Sequence, residues 1–486
     1  MSEYKHGIET SRSKTKIKSP VLCTNNITVA IGTAPINTVD NVQAAVNKPI
    51  ALYEKGDAEK IFGSKADMRY TLEHSIYASF NKYGVAPIVL INVLDPSNTN
   101  HVEVVSGQEL NVVSGRATIE ECGVLLDKLQ VTYGESECKP DEDYVTSFND
   151  DGYAVIAVPG DGALSGAEKI TVSYAKLNPD GVSSSDIIGG VTEDGVRTGI
   201  ELLDEIYARY GIVPGYVTAP GFSKNPAVAA ALEAKVQKIY ALTNAVALVD
   251  LDSSDKGATH FSKVKEVKNK NVVASRCVIP FWPMTKADGY QIYYSAMAAA
   301  AMQKQTVQNN NIPSESPDNT ELLIDGICLE DGTDVFMTQD DVNDYLNRYG
   351  VVGALKLPGW KIWGNNTAAY PVSNDPIDRW INNVVMLNFI ENKFKTEYLS
   401  TVGRNGSYKL VSGIVNEFNM YLNSLTPDYL AGGSIVFDRS ENPIENIMNG
   451  HYKFHTRYAA YIPSEYIENE FEYDVTILES ALEGGE

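Results

Sequence analysis

Between residues 187 and 303 the hydrophobic period switches repeatedly from helical to extended, and few folds accept that pattern. Val196, Ile200, Leu203, Ile206 and Tyr210 mark one helix face, and 215–219 reads as a strand. Asn225 followed by Pro226 predicts a capped helix to about residue 242, because proline at the first helical position loses no needed donor. A strand over 245–249, a short helix over 261–268 and a strand over 271–279 follow, and Thr285 is expected to cap a helix to about 303. Repeated strand–helix–strand units imply a mostly parallel sheet with helices on both faces.

The flanks carry other signatures. Strands are expected over 27–33 and 49–53, a helix over 71–83 stopped by Gly84, and a doubly covered strand over 88–93. From 98 to 188 short alternating runs, such as Leu129/Val131/Tyr133 and Ile170/Val172/Tyr174, lie between turn clusters and predict a β-sandwich inserted in a larger domain. After 350 the pattern reads α+β. Strands are expected over 351–355 and 433–437, with a helix over 411–425 and another opened by Asp375 and Pro376. The resulting division is an arm (1–20), the first part of the core (21–97), the sandwich (98–188), the α/β domain (189–350), an α+β domain (351–463) and a second arm (464–486).

The two arms are complementary. Lys14, Lys16 and Lys18 fall on one face of an extended segment, with Thr15 and Ile17 on the other. Near the other end Phe471, Tyr473, Val475 and Ile477 alternate with Glu472, Asp474 and Thr476, which predicts a strand over 466–478. Residues 464–486 hold Glu465, Glu468, Glu470, Glu472, Asp474, Glu479, Glu483 and Glu486 and no Lys or Arg. So acidic a strand repels itself, and the pairing it invites is with other copies, by strand addition to open sheet edges. The residues therefore point to a self-assembling structural subunit.

Chemistry is sparse by comparison. A net charge of −23 argues against nucleic acid as a partner. No apolar run approaches the ~20 residues of a membrane span, and residues 1–7 show no apolar core of a secretion signal. Five scattered cysteines read as reduced thiols. None of the six histidines accompanies a nucleophile elbow, and Gly189 to Gly195 lacks the lysine and spacing of a phosphate loop. Asp250, Asp252 and Asp255 follow a buried strand, where a Mg²⁺ enzyme would place carboxylates; the plainer reading is a solvated turn. His451 and His455 share a face but lack a third ligand, so no metal or other cofactor is expected. A carbohydrate-binding surface protein using the sandwich is the other alternative.

The stretch 359–367, with Trp360, Trp363, Gly364 and Thr367, resembles the tryptophan–glycine motif of contractile-tail sheath proteins of tailed phages and R-type bacteriocins. Residues 293–298, 317–319, 430–438 (with Gly432 and Gly433), 6–10 and 29–33 match that family in the same order; Asn366 departs from it, since many members carry arginine there. The resemblance implies a non-enzymatic subunit whose α/β core, often called subtilisin-like, carries an inserted β-sandwich. It implies six-subunit rings stacked helically around an inner tail tube between baseplate and tail terminator proteins, with both arms exchanged between neighbours. The particle would be a virion tail or a bacteriocin, assembled in the bacterial host cytoplasm, that contracts to drive the tube through a cell envelope. A helix over 411–425 or 377–398 would face the tube.

Overall fold

The computed structural model describes residues 20–134, 136–159 and 162–482. Its centre is a six-stranded sheet of β1 (Ile27–Gly32), β2 (Pro49–Leu52), β3 (Ile88–Asn92), β4 (Pro214–Thr218), β5 (Val246–Asp250) and β6 (Val278–Phe281). The order is β6-β5-β4-β1-β3-β2, parallel throughout except that β2 runs against β3. Val29 lies level with Val89 on one side and Val217 on the other. Every residue of β1, β3, β4, β5 and β6 is buried, which explains their unbroken apolar runs.

Helices α1 (Pro226–Val236) and α2 (Tyr294–Gln308) belong to this body. Asn225 caps α1 by accepting from the Ala227 amide at 2.9 Å. The alanines of α2, residues 298–301, are all buried and let its backbone approach the sheet. From its far end Gln303 accepts from the Thr28 amide at 3.1 Å and donates to the Pro87 carbonyl at 2.8 Å, tying α2 to the edges of β1 and β3.

Between β3 and β4 the chain leaves the sheet and builds two small antiparallel sheets. One contains Val102–Asn111, Val124–Tyr133, Ser136–Glu137 and Lys169–Leu177; the other contains Arg116–Ile119, Val145–Phe148 and Ala154–Ala157. Their facing residues, among them Ile119, Val131, Ile156, Val172 and Tyr174, form a core separate from the body's. A third core sits where α3 (Ile381–Tyr398) and α4 (Tyr408–Ser424) meet a two-stranded ribbon of β7 (Leu430–Val436) and β8 (His455–Ala460). Val351, Val352, Ile362 and Ile381 belong to the main core, and α3 passes from that core into the third one.

Several local expectations change. Thr285 caps no helix: it lies in Met284–Ala287, which turns through Asp288 (φ 50°) and Gly289 (φ 84°) into Tyr290–Ile292, and α2 starts only at Tyr294. Asp-Gly flanked by extended residues is a two-residue hairpin signal, and it outweighs the cap. Helix α1 ends at Val236, well before 242, and the strand expected from 271 begins at Val278. The helix opened by Asp375 and Pro376 breaks at Trp380 (ψ 123°). There the Thr367 amide donates to the Arg379 carbonyl and the Ile381 amide to the Asn365 carbonyl, so pairing with a distant segment displaces helical bonds.

The strand expected over 466–478 does not form. Residues 461–474 have no regular secondary structure, and Val475–Leu482 is a helix, α5. Among the described residues no strand lies beside Phe471, Tyr473 or Val475, and Val475–Leu482 satisfies its backbone locally as a helix.

Candidate assembly surface

The β7/β8 ribbon is pinned on one face and asymmetric at its edges. Leu430 and Ile435 point into the third core against Phe418 and Leu422, while Ala431, Ser434 and Val436 face out. On the outer edge of β7, Asn419 of α4 closes the backbone of Ile435: its side chain accepts from the Ile435 amide and donates to the Ile435 carbonyl, both at 2.9 Å. The outer edge of β8 receives no backbone hydrogen bond from the described residues. Beside it runs a groove of about 520 Å³ whose largely apolar floor of Leu387, Ile390, Phe394, Phe418 and Phe454 is rimmed by Glu391, Lys395 and Lys453. An open backbone edge next to an apolar groove is the form a sheet takes where a further strand adds.

The chain then leaves β8 and stays on the surface. Phe471 is 89% and Tyr473 77% exposed, and Glu472, Asp474, Val475 and Ile477 are exposed with them. Lys14, Thr15, Lys16, Ile17 and Lys18 lie outside the described residues.

Trp360 and Trp363 stand on a short strand, Trp360–Trp363, paired with Gly353–Lys356. Their indole nitrogens donate to the Asp325 carbonyl and to Asn343, both at 3.1 Å, so they pack at the rim of the main core. Gly364 follows at φ 131°, a conformation that favours glycine, and gives its amide to Asp318 at 2.7 Å. Thr367 donates to the Asp378 carbonyl at 2.6 Å. Gly432 and Gly433 lie in β7, where a Cβ at Gly433 would stand 3.3 Å from Leu422, so α4 packs close against the ribbon.

The guanidinium near Asn366 is that of Arg379. It donates to Asn366 at 2.7 Å, lies 4.0 Å from the Trp380 ring and 4.4 Å from that of Tyr370, and grips both oxygens of Glu465 at 2.8 and 2.5 Å. Sequence reasoning missed Arg379, Asn382 and Asn419, and the pairing of Arg379 with Glu465. Arg379 and Glu465 are 86 positions apart, and no local pattern announces such a pair.

The carboxylates weighed for Mg²⁺ are otherwise employed. Asp250 is 5% exposed and accepts from the Ser295 amide at 2.8 Å, the Ser295 hydroxyl at 2.6 Å and Ser223 at 3.3 Å. It thus caps the start of α2 from across the core. Burial pushes its carboxyl up to about 6, against the lowering pull of those bonds. Asp252 accepts from the Ser254 amide at 3.0 Å in an exposed turn that also holds Asp255. His451 lies in a loop, and His455, at the start of β8, is 3.9 Å from Glu441. Among the described residues no three His, Cys, Asp or Glu side chains are grouped to hold a metal ion, and no helix is long and apolar enough to cross a membrane.

A ribbon with one open edge, a neighbouring groove and an alternating segment with no strand partner among the described residues fit a structural subunit that assembles with others. No family model matches the chain. Its relatives are specific all the same. It is 24% identical to the tail sheath protein of Burkholderia phage BcepMu, over 100% of this chain and 99% of that one. It is 23% identical over 300 residues to the tail sheath protein of Escherichia phage P2, covering 59% of this chain and 69% of that one. The fold matches a chain of the anti-feeding prophage baseplate with a TM-score of 0.59 at 13% identity, covering 97% of this chain and 100% of that one. It also matches the contracted sheath of an extracellular contractile injection system (PVC) with a TM-score of 0.58 at 13% identity, covering 98% and 100%. The chain is thus similar along its whole length to one phage tail sheath protein and over about three-fifths of it to another, and these relatives are structural proteins and not enzymes.

Proposed function

We propose that this chain is the sheath subunit of a contractile tail or injection machine, and that its copies form six-membered rings stacked around an inner tube. Neighbours are joined by terminal segments, each adding a strand to the open edge of another subunit's β7/β8 ribbon. The observation that carries this reading is the pairing of a donor with an acceptor: residues 466–477 have no strand partner among the described residues, while the edge of β8 stands open beside a largely apolar groove. Five or six ladder hydrogen bonds at ~0.5–1.5 kcal/mol each, with side chains such as Phe471 and Tyr473 burying ~1.5 kcal/mol or more apiece, give several kcal/mol per exchanged segment. Exposed lysine–carboxylate pairs add only ~0–1 kcal/mol each, so charge sets register more than strength.

The inner tube would meet α4. The first half of α3 is buried between two cores, whereas α4 presents Asn416, Glu417, Met420 and Asn423 outward, with Tyr408 87% exposed at its start. On this reading the unit divisions at 20, 97, 188, 350 and 463 are those of arms, core, insertion and tube-facing part. The particle is completed by a baseplate and a terminator and assembled in the bacterial cytoplasm. Removing 464–486 tests the exchange: the truncated chain should fold with unchanged melting but form no striated cylinders by negative-stain microscopy. Normal cylinders from it would refute strand exchange through this segment.

A further inference from the structure

The stretch 359–367 was singled out by resemblance alone, and its place beside the last strand gives it a task. Two relays run from it to the root of the C-terminal segment. In the first, Asn365 donates to Asn382 at 2.9 Å, and Asn382 donates to the Tyr461 carbonyl at 3.2 Å. In the second, Asn366 accepts from Arg379 at 2.7 Å, and Arg379 holds Glu465 with two bonds of 2.8 and 2.5 Å. Asn365, Asn366 and Asn382 are 5%, 2% and 4% exposed, so these polar side chains are set in the body rather than dangling from it. The Arg379 guanidinium is further fixed by the Trp380 and Tyr370 rings. Beyond Glu465 the segment is exposed at every residue to Leu482.

We propose that Asn365, Asn366, Arg379 and Asn382 form a socket that anchors the root of the C-terminal segment at Tyr461 and Glu465. A strand lent to another molecule is useful only if pulling on it moves the lender. With the root held on Arg379 and Asn382, a pull reaches the body directly, because Ile362, Ile381 and Val384 beside the socket belong to the main core. The planar guanidinium suits this role: Nη2 donates to both oxygens of Glu465 while Nε holds Asn366, so one rigid group bridges the buried asparagine and the root of the segment as a single ammonium does not. Arg379 is therefore a positioning residue for the exchanged segment. The inference rests on the strand-exchange reading for its purpose, but the socket itself is testable in the isolated subunit.

An endoprotease that cleaves after glutamate supplies the test, because Glu465 lies in the socket and Glu470 lies free beyond it. Cleavage of a held site tracks its open population. In the full chain, Arg379→Ala should raise cleavage after Glu465 about tenfold, the size expected for losing a charge-assisted hydrogen bond, while cleavage after Glu470 stays as it was. Arg379→Lys, which keeps the charge without the fork, should fall between, and it serves as the second variant if Arg379→Ala does not fold. Asn382→Ala should shift the same ratio in the same direction. An unchanged Glu465 to Glu470 ratio in the folded variants overturns the socket, as does an equal rise at both sites, which marks general loosening. Failure here leaves the 464–486 truncation result standing, and failure of that truncation to abolish cylinders leaves the protease result standing.

Discussion

Strand β3 and the stretch 471–477 both read as strands in sequence, the first as an unbroken apolar run and the second as an alternation of aromatic and β-branched residues with polar ones. Their fates differ completely. Every residue of β3 is buried between β1 and β2, and every residue of 471–477 is exposed, its last three being helical. β-propensity describes fitness for a pleated surface, and a strand is realised only where an edge receives it. The largest contrast should follow from placing a carboxylate in each. Leu90→Asp buries an unpaired charge at a position of 0% exposure and should cost ~4 kcal/mol or more, enough to unfold the body in a thermal melt. Phe471→Asp should leave the melt of the isolated subunit unchanged and abolish cylinder formation. A lowered melting temperature for Phe471→Asp would show that this stretch already has a partner at home.

The β7/β8 ribbon is the intermediate case, a strand pair with one edge closed by Asn419 and one open. Its support is a small core, in which Phe418 lies edge-on to Phe394 at 5.1 Å and is 2% exposed. Phe418→Ala should cost ~3–5 kcal/mol and loosen the ribbon before the main sheet. Hydrogen exchange would show this as lost protection over 430–436 and 455–460 with β1, β3 and β4 still protected. Uniform loss of protection would mean that the ribbon and body melt as one unit.

What was legible in the sequence follows the same division. Signals confined to a few residues survive intact, as where Asn225 with Pro226 caps α1. Continuous apolar runs gave the strands of the central sheet because burial on both faces leaves no other composition. Signals that needed a second segment failed. Nothing near Trp380 says that Asn366 will pair with it and break the helix, and nothing near Glu465 names Arg379. The stretch 466–478 stands apart: its period is clear, but among the described residues no strand lies beside it.

The body also differs from the segment in how pH reaches it. Burial raises the Asp250 carboxyl from 3.8 to about 6, so the folded state binds this proton more tightly than the unfolded chain does. That contribution is fully present below about pH 4 and is lost as pH rises through 6. At ~1.4 kcal/mol per pH unit it amounts to ~2–3 kcal/mol. Asp250→Asn keeps an acceptor for the Ser295 amide and removes the titration. The stability of the wild type relative to Asp250→Asn should therefore fall between pH 4 and 6 and then level off, as denaturant melts across that range would show. Parallel curves would mean that Asp250 is solvated and free to take up other ligands.

The smallest expected effect lies at the junction where the alternating stretch becomes helix. Asp474 accepts from the Thr476 amide at 2.8 Å and the Thr476 hydroxyl at 2.6 Å, an N-terminal cap for α5 that also holds its carboxyl below the usual range. A helix of eight residues with no buried side chain is below the length that sustains itself in water, so this cap is a main local support. Asp474→Ala should fray 475–482, seen as a shift of backbone chemical shifts toward coil, with no change in melting temperature. Cylinder formation should be undiminished, because Val475, Thr476 and Ile477 are β-branched and suit a strand once an edge is offered. Reduced assembly by Asp474→Ala would show instead that α5 enters the neighbour as a helix, and the comparison with β3 would then end at Asp474.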